Sequence, residues 1–378
     1  MKLRMKNTFI RSTGGASQAL AAIAIGLAGI SAASAQALYS VADIGPAPSG
    51  YSCIPTNLND HGDVVGNCAL LSDTTTVPNE AAVWRNGTAS LLGLLNGAET
   101  YATAINNLGA ITGTGGIIPQ GWVTTATPGV LLNFFPNSGN NRTVFIGDDG
   151  RIGGYYIKGT TWKGAIWTPD SKGRYRVTDL PFLPGGINSK FTFAIANAFN
   201  QSGQAAGYAQ TDQIGQHAVL WNNDAAHSIV DLGVVPGDWA SWAYGMNDLG
   251  QVVGVGNSPT DANLPIVGLR PVMWNNDAAH TPVGLPLLPG DTSGSAYGIS
   301  NAGHIIGVSM YLAPGTQEAP NTPRRSVVWR DGGVFELKSL LAAGWTDVSA
   351  AAINKLGQIL AWGTFNGAER HVLLTPLQ

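Results

Sequence analysis

Apolar residues in this chain fall in short runs bounded by turn formers, without the three-to-four-residue spacing of a helix. Seven stretches repeat one pattern, in which an apolar strand end, a polar turn closing on glycine and a second apolar run follow one another. They read NLNDHGDVVGN, AINNLGAITGT, FIGDDGRIGGY, AFNQSGQAAGY, GMNDLGQVVGV, GISNAGHIIGV and AINKLGQILAW. The anchoring glycines are Gly62, Gly109, Gly150, Gly203, Gly250, Gly303 and Gly357, spaced 47, 41, 53, 47, 53 and 54 residues apart. Each stretch predicts a tight β-hairpin. Three residues before the glycine stands Asn59, Asn106, Asn200, Asn247 or Asn354, with Gly147 and Ser300 in the other two copies. Asn or Ser there bonds its own backbone, and glycine supplies the left-handed turn position. A second glycine follows four residues on, at Gly66, Gly113, Gly154, Gly207, Gly254 and Gly307, with Ala361 in the last copy. Glycine inside a strand predicts a bulge or a close backbone approach.

Two further strands follow in each unit. The third ends on Trp84, Trp167, Trp221, Trp274 or Trp329, with Thr124 and Leu374 in that place in the second and seventh copies. The fourth contains LLGLL, LLNFF, VTDLPFLPG, IVDLGVVPG, PVGLPLLPG or FELKSLL. The heptapeptide WNNDAAH, at 221–227 and again at 274–280, is a strand end and a hairpin loop copied with its unit. Four strands in a period of this size predict a propeller blade. LYSVADIG (38–45) matches a fourth strand and RHVLLTP (370–376) a third, so each end supplies what the other lacks. The expected fold is an all-β, seven-bladed β-propeller of four-stranded blades, its ring closed by the N-terminal strand on the last blade. An open β-solenoid is the alternative, and it would need capping repeats at both ends.

The first 35 residues change the picture of where the chain works. Lys2, Arg4, Lys6 and Arg11 precede an apolar run from Ala19 to Ile30, and Ala33-Ser34-Ala35 fits a cleavage site. This predicts a signal peptide over 1–35, a mature repeat domain over 36–378, and a secreted or periplasmic location. No stretch is long enough to span a bilayer as a helix. The leader holds four of the 20 Lys+Arg and none of the 23 Asp+Glu, which leaves the remainder at −7. An acidic chain without a basic face excludes nucleic acid as a partner. Export permits a disulfide between the two cysteines, Cys53 and Cys68, which flank the first hairpin turn. A bulge at Gly62 would shift the register by one residue and could put them on opposite faces, so two free buried thiols are the alternative.

The recurring IN-x-x-G-x-VVG, with HAVLW (217–221) and DLG-x-x-PG (231–237), resembles the HAF repeat family of exported bacterial proteins, whose His-Ala-Phe element here reads His217-Ala218-Val219. The resemblance covers essentially all of 38–378. It implies secretion and repetition, and no particular activity.

No nucleophile elbow, zinc-protease motif or phosphate loop is present in the sequence. The Asp148-Asp149 pair falls in a hairpin turn and reads as turn chemistry. No catalytic residue, metal ligand or cofactor is assigned. Long loops on a rigid frame are the usual seat of binding, which directs attention to 67–78, 257–268 and 309–324 and to the crossover PGDWASW with Asp238, Trp239 and Trp242. On the same face, four residues before each Trp position, stand Glu80, Gln120, Lys163, His217, Arg270, Arg325 and Arg370. The ligand-binding candidates are therefore Asp238, Trp239, Trp242, His217, Arg270, Arg325 and Lys163. Packing of the two tryptophans between blades and a solvated strand entry for the charged set are the alternatives. The expected protein is a monomeric binding module for a carbohydrate or a surface protein. A polysaccharide hydrolase or lyase, and a structural envelope protein, are the competing classes.

Overall fold

The computed structural model describes residues 37–71, 79–95, 97–116, 119–124, 131–132 (backbone only), 140–186, 192–211, 215–257, 268–313 and 322–377. The leader and most of the three long loops named above lie outside the described residues. Strand β1 (Tyr39–Asp43) precedes the first repeat, which forms β2 (Tyr51–Leu58), β3 (Val64–Leu70), β4 (Glu80–Arg85) and β5 (Thr88–Gly93). The second forms β6 (Thr100–Ile105), β7 (Ile111–Gly115), β8 (Gln120–Thr124) and β9 (Leu131–Leu132). The third and fourth give β10 (Asn141–Ile146), β11 (Ile152–Lys158), β12 (Thr161–Pro169), β13 (Tyr175–Asp179), and β14 (Phe193–Phe199), β15 (Ala205–Gln210), β16 (Gln216–Trp221), β17 (Ile229–Gly233). Next come β18 (Ala240–Met246), β19 (Val252–Asn257), β20 (Leu269–Trp274), β21 (Pro282–Gly284), then β22 (Ser293–Ile299), β23 (Ile305–Met310), β24 (Arg325–Arg330) and β25 (Gly333–Glu336). The last repeat forms β26 (Trp345–Ile353), β27 (Ile359–Phe365) and β28 (Ala368–Pro376). The chain is an all-β propeller, with one 3-10 turn at Leu337–Leu340 among the described residues. Its strands form five four-stranded sheets and one eight-stranded sheet. The latter holds the third and fourth repeats, bridged by a short parallel contact of Trp162 with Phe193 and Lys163 with Ala194. β1 pairs antiparallel with β28, from Tyr39 opposite Pro376 to Asp43 opposite Val372.

The core lies between neighbouring sheets. Ala206, Ala218, Leu220 and Leu232 of one repeat pack against Ala243, Val252, Val272 and Trp274 of the next. Small residues on one sheet leave room for an indole on the other. The indole N–H groups also reach across the crossovers, from Trp84 to the Pro46 carbonyl (3.3 Å), from Trp221 to Pro181 (2.9 Å) and from Trp329 to Pro286 (2.6 Å). In the second repeat Trp122, two residues before Thr124, is the buried indole. A shift of two keeps it on the same face of the strand.

Every first hairpin carries a second irregularity that its turn does not announce. The innermost strand skips one residue against its neighbour, at Thr56, Thr103, Val144, Asn197, Tyr244, Tyr297 and Ala351. The strand glycines face this bulge. A Cβ on Gly207 would lie 1.9 Å from the Ile195 carbonyl oxygen, and one on Gly254 would lie 1.9 Å from that of Trp242. The last copy has Ala361 there, and its hairpin carries an added register shift between Thr346 and Ser349.

The same bulge decides the cysteines. Gly62 offsets the register by one residue and Thr56 offsets it back, so Cys53 stands directly opposite Cys68 and the two form a disulfide with Cα atoms 4.0 Å apart. Replacing both with serine is expected to lower stability by about 3 kcal/mol, the loop-closure value for a short loop, here a sequence separation of 15. A denaturant midpoint indistinguishable from that of the parent protein would contradict this.

Candidate functional site

The charged candidates on the loop face are each tied to a local carboxylate. Lys163 Nζ pairs with Asp179 at 2.7 Å, His217 Nδ1 with Asp231 at 2.9 Å, Arg325 Nη2 with Asp291 at 2.7 Å and Arg370 Nη1 with Asp43 at 2.6 Å. In these four copies the polar position four residues before the Trp position is thus a rung joining its strand to the neighbouring outer strand or to the crossover. Burial alone would raise the Asp231 carboxyl, but hydrogen bonds from His217 and the Gly233 N–H outweigh it and hold the pKa below its ordinary value. These side chains stand on separate repeats and do not converge. Trp239 is 47% exposed, and Trp242 is half-buried with its Nε1 donating to Gln216 Oε1. Among the described residues, no three His, Cys, Asp or Glu side chains gather as a metal site.

Asp238 is the exception in the set. Its side chain is 0% exposed, neither carboxylate oxygen has a hydrogen bond, and Arg270 Nη2 stands 3.6 Å away. Its counterpart one repeat on, Asp291, accepts the Ser309 hydroxyl at 2.6 Å. The place of that serine is taken by Gly256, where a Cβ would lie 2.1 Å from Asp238 Oδ2, so the carboxylate fills the space a side chain would need. Burial raises the Asp238 pKa above its ordinary value, and Arg270 draws it only part of the way back. The charged form is disfavoured in the folded state, so this group's contribution to stability falls as pH rises from the ordinary carboxyl value through the raised one. Asp238→Asn is expected to match the parent near pH 3 and to exceed it at pH 7 by about 1 kcal/mol. Thermal melts at both pH values check this, and a variant less stable at pH 7 would refute it.

The opposite face, where the hairpin turns lie, is organised around the axis. Asn59 Oδ1 accepts the N–H groups of His61 (3.0 Å) and Asp63 (2.9 Å), which fixes its own turn, and Asn59 Nδ2 donates to the Asn106 carbonyl of the next turn at 3.1 Å. Asn106 reaches Gly147, Asn200 reaches Asn247, Asn247 reaches Ser300, and Asn354 reaches back to Asn59 across 295 residues of sequence.

A second belt runs beside it, one residue later in each turn. The N–H of Asp60 donates to Asn107 Oδ1, that of Asn107 to Asp148 Oδ1, that of Asp148 to Gln201 Oε1 and that of Gln201 to Asp248 Oδ1. Asp248 continues to Asn301 Oδ1, Asn301 to the Lys355 carbonyl and Lys355 to Asp60 Oδ1, so the circuit returns to its start. Five of these residues, Asp60, Asn107, Asp148, Gln201 and Lys355, line an axial cavity of about 280 Å³. Its wall is built from the innermost strands β2, β6, β10, β14, β18, β22 and β26. The belt is absent from the sequence expectations above, and its one signal in the chain is a polar residue two before every anchoring glycine.

No protein-family model matches the chain, and no curated protein matches it. Among solved structures, the β-propeller domain of the Trilobed protease from Pyrococcus furiosus, which has an open velcro topology, is similar with a TM-score of 0.54 at 12% identity, over 86% of this chain and 93% of that one. Uncomplexed Pyrococcus horikoshii acylaminoacyl peptidase is similar with a TM-score of 0.53 at 10% identity, over 87% of this chain and 53% of that one, so the chain spans about half the peptidase's length. At such identities the likeness carries the fold alone, and the fold is an all-β propeller.

Proposed function

We propose that the chain is a secreted or periplasmic binding module of the HAF repeat kind, a ring of seven blades closed by its N-terminal strand. Counting the eight-stranded sheet as two blades gives one blade per repeat, and the turn-to-turn belt that returns from Lys355 to Asp60 supports the closed ring. The observation that carries the binding role is the axial cavity framed by that belt. A preformed polar hollow on a rigid frame suits recognition, because little ordering is needed on binding. Its ligand is a glycan or a surface protein. Fold alone names no chemistry, so the test pairs a glycan and peptide array with a turnover assay on the same polysaccharides. Retention without product is expected. Product formation would make the protein a hydrolase or lyase, and neither retention nor product would leave an envelope scaffold. Fractionation with N-terminal sequencing tests export, with Gln36 expected as the first residue.

A further inference from the structure

The residue just before the anchoring glycine sits at the tip of each turn. Three tips are leucines, and Leu108, Leu249 and Leu356 are 67%, 57% and 65% exposed. The others are His61, Asp149, Ser202 and Ala302. In belt order, Leu249, Ala302 and Leu356 are consecutive, His61 separates them from Leu108, and Asp149 and Ser202 close the circuit. The turn itself asks for nothing apolar at this position, since the other copies fill it with polar or small residues. Scattered single leucines need no explanation. Three on one rim, around one cavity mouth, describe a face.

The mouth is also short of positive charge. Asp60 and Asp148 line it on either side of Asn107, whose Nδ2 donates to both, at 2.9 Å to Asp60 and 3.1 Å to Asp148. The third belt carboxylate, Asp248, has Lys355 Nζ at 3.2 Å. Asp60 and Asp148 have no ion-pair partner among the described residues. A hollow of about 280 Å³ has room for one long side chain.

On the strength of the binding-module reading above, we infer that the turn face docks a protein partner that places one cationic side chain, lysine or arginine, in the cavity mouth beside the Asp60 and Asp148 carboxylates, with apolar neighbours resting on Leu249, Leu356 and Leu108. A neutral sugar would leave the two carboxylates without a counter-charge and would gain little from the leucines. A free metal ion would not use the leucines at all.

The test titrates the exported protein with acetyl-Leu-Arg-Leu-amide and with the same peptide carrying citrulline, which keeps the shape and removes the charge. The arginine peptide is expected to bind at least about tenfold tighter, with the difference shrinking in high salt. Asp148→Asn is expected to remove most of the difference. That residue also belongs to the belt, so its melting temperature is recorded alongside. Leu356→Lys leaves every belt bond in place and is expected to repel the arginine peptide. Equal affinity for the two peptides, no binding of the arginine peptide, or indifference to Leu356→Lys would each overturn the inference. A folded protein that ignores both peptides yet retains a glycan keeps the binding-module reading and loses only this one. One that retains neither loses both.

Discussion

Deleting residues 36–45 is expected to cost about 5 kcal/mol or more and to lower the melting midpoint by about 10 °C or more. That stretch carries all of β1, whose ladder with β28 runs from Tyr39 to Asp43. Its loss would strip a paired strand from the last sheet and leave the outer edge of β28 without partners. Two large side chains would go with it, Tyr39 (2% exposed) and Ile44 (7% exposed). Tyr39 packs with Leu337, Leu340 and Ile359, whereas Ile44 packs with Leu58 and Trp84 of the first repeat. The deletion therefore loosens the chain's last sheet and its first together, and the bared strand edge invites aggregation. Melting followed by circular dichroism, with light scattering on the same samples, reads both effects. A truncated protein that melts within a few degrees of the parent would show that β1 contributes little to holding the first and last sheets.

Trp221→Ala is expected to cost about 3–5 kcal/mol, the usual range for removing a buried aromatic side chain. The indole is 0% exposed, packs among Ala194, Ala196, Ala205 and Ile166, and donates to the Pro181 carbonyl at 2.9 Å. The alanines around it cannot close the hole, because they project too little. The Pro181 carbonyl would lose its donor as well. Trp239→Ala is the control, because a ring 47% exposed should change stability by no more than about 0.5 kcal/mol. Denaturant midpoints of the two variants side by side give the contrast. Comparable losses would mean that Trp239 is packed as tightly as Trp221.

Much of the strand layout was legible, because its signals are local and recur, the turn glycine in all seven copies and the turn asparagine and third-strand tryptophan in five each. The cysteine pairing was half legible. Its turn offset follows from Gly62, whereas the compensating bulge at Thr56 has no signature beyond the facing Gly66. Val41 of β1 is apolar, yet it is 38% exposed while Tyr39 is buried. β1 is the outermost strand of its sheet, and only its first residue reaches a neighbouring repeat. The cavity was the least legible feature. Hairpin tips gather around an axis only after all the sheets are in place, and no window of sequence contains that arrangement. In the sequence the loop face stands out because its loops are long. The charged residues there turned out to be joined in pairs beneath it.

The second belt also obeys a rule of parity. Followed around, it reads acid, amide, acid, amide, acid, amide at Asp60, Asn107, Asp148, Gln201, Asp248 and Asn301, so each amide N–H₂ lies near a carboxylate. A strict two-letter alternation closes only on an even number of members, and this circuit is odd. Somewhere two like members must meet, or a third kind must stand between them. Lys355 is that third kind. It has no side-chain acceptor, so Asn301 takes its main-chain carbonyl instead, and its ammonium group turns to Asp248 at 3.2 Å. An acid in that position would face Asp60, and an amide would follow an amide. The lone cation in the belt marks the seam that a hydrogen-bond circuit of odd membership must have.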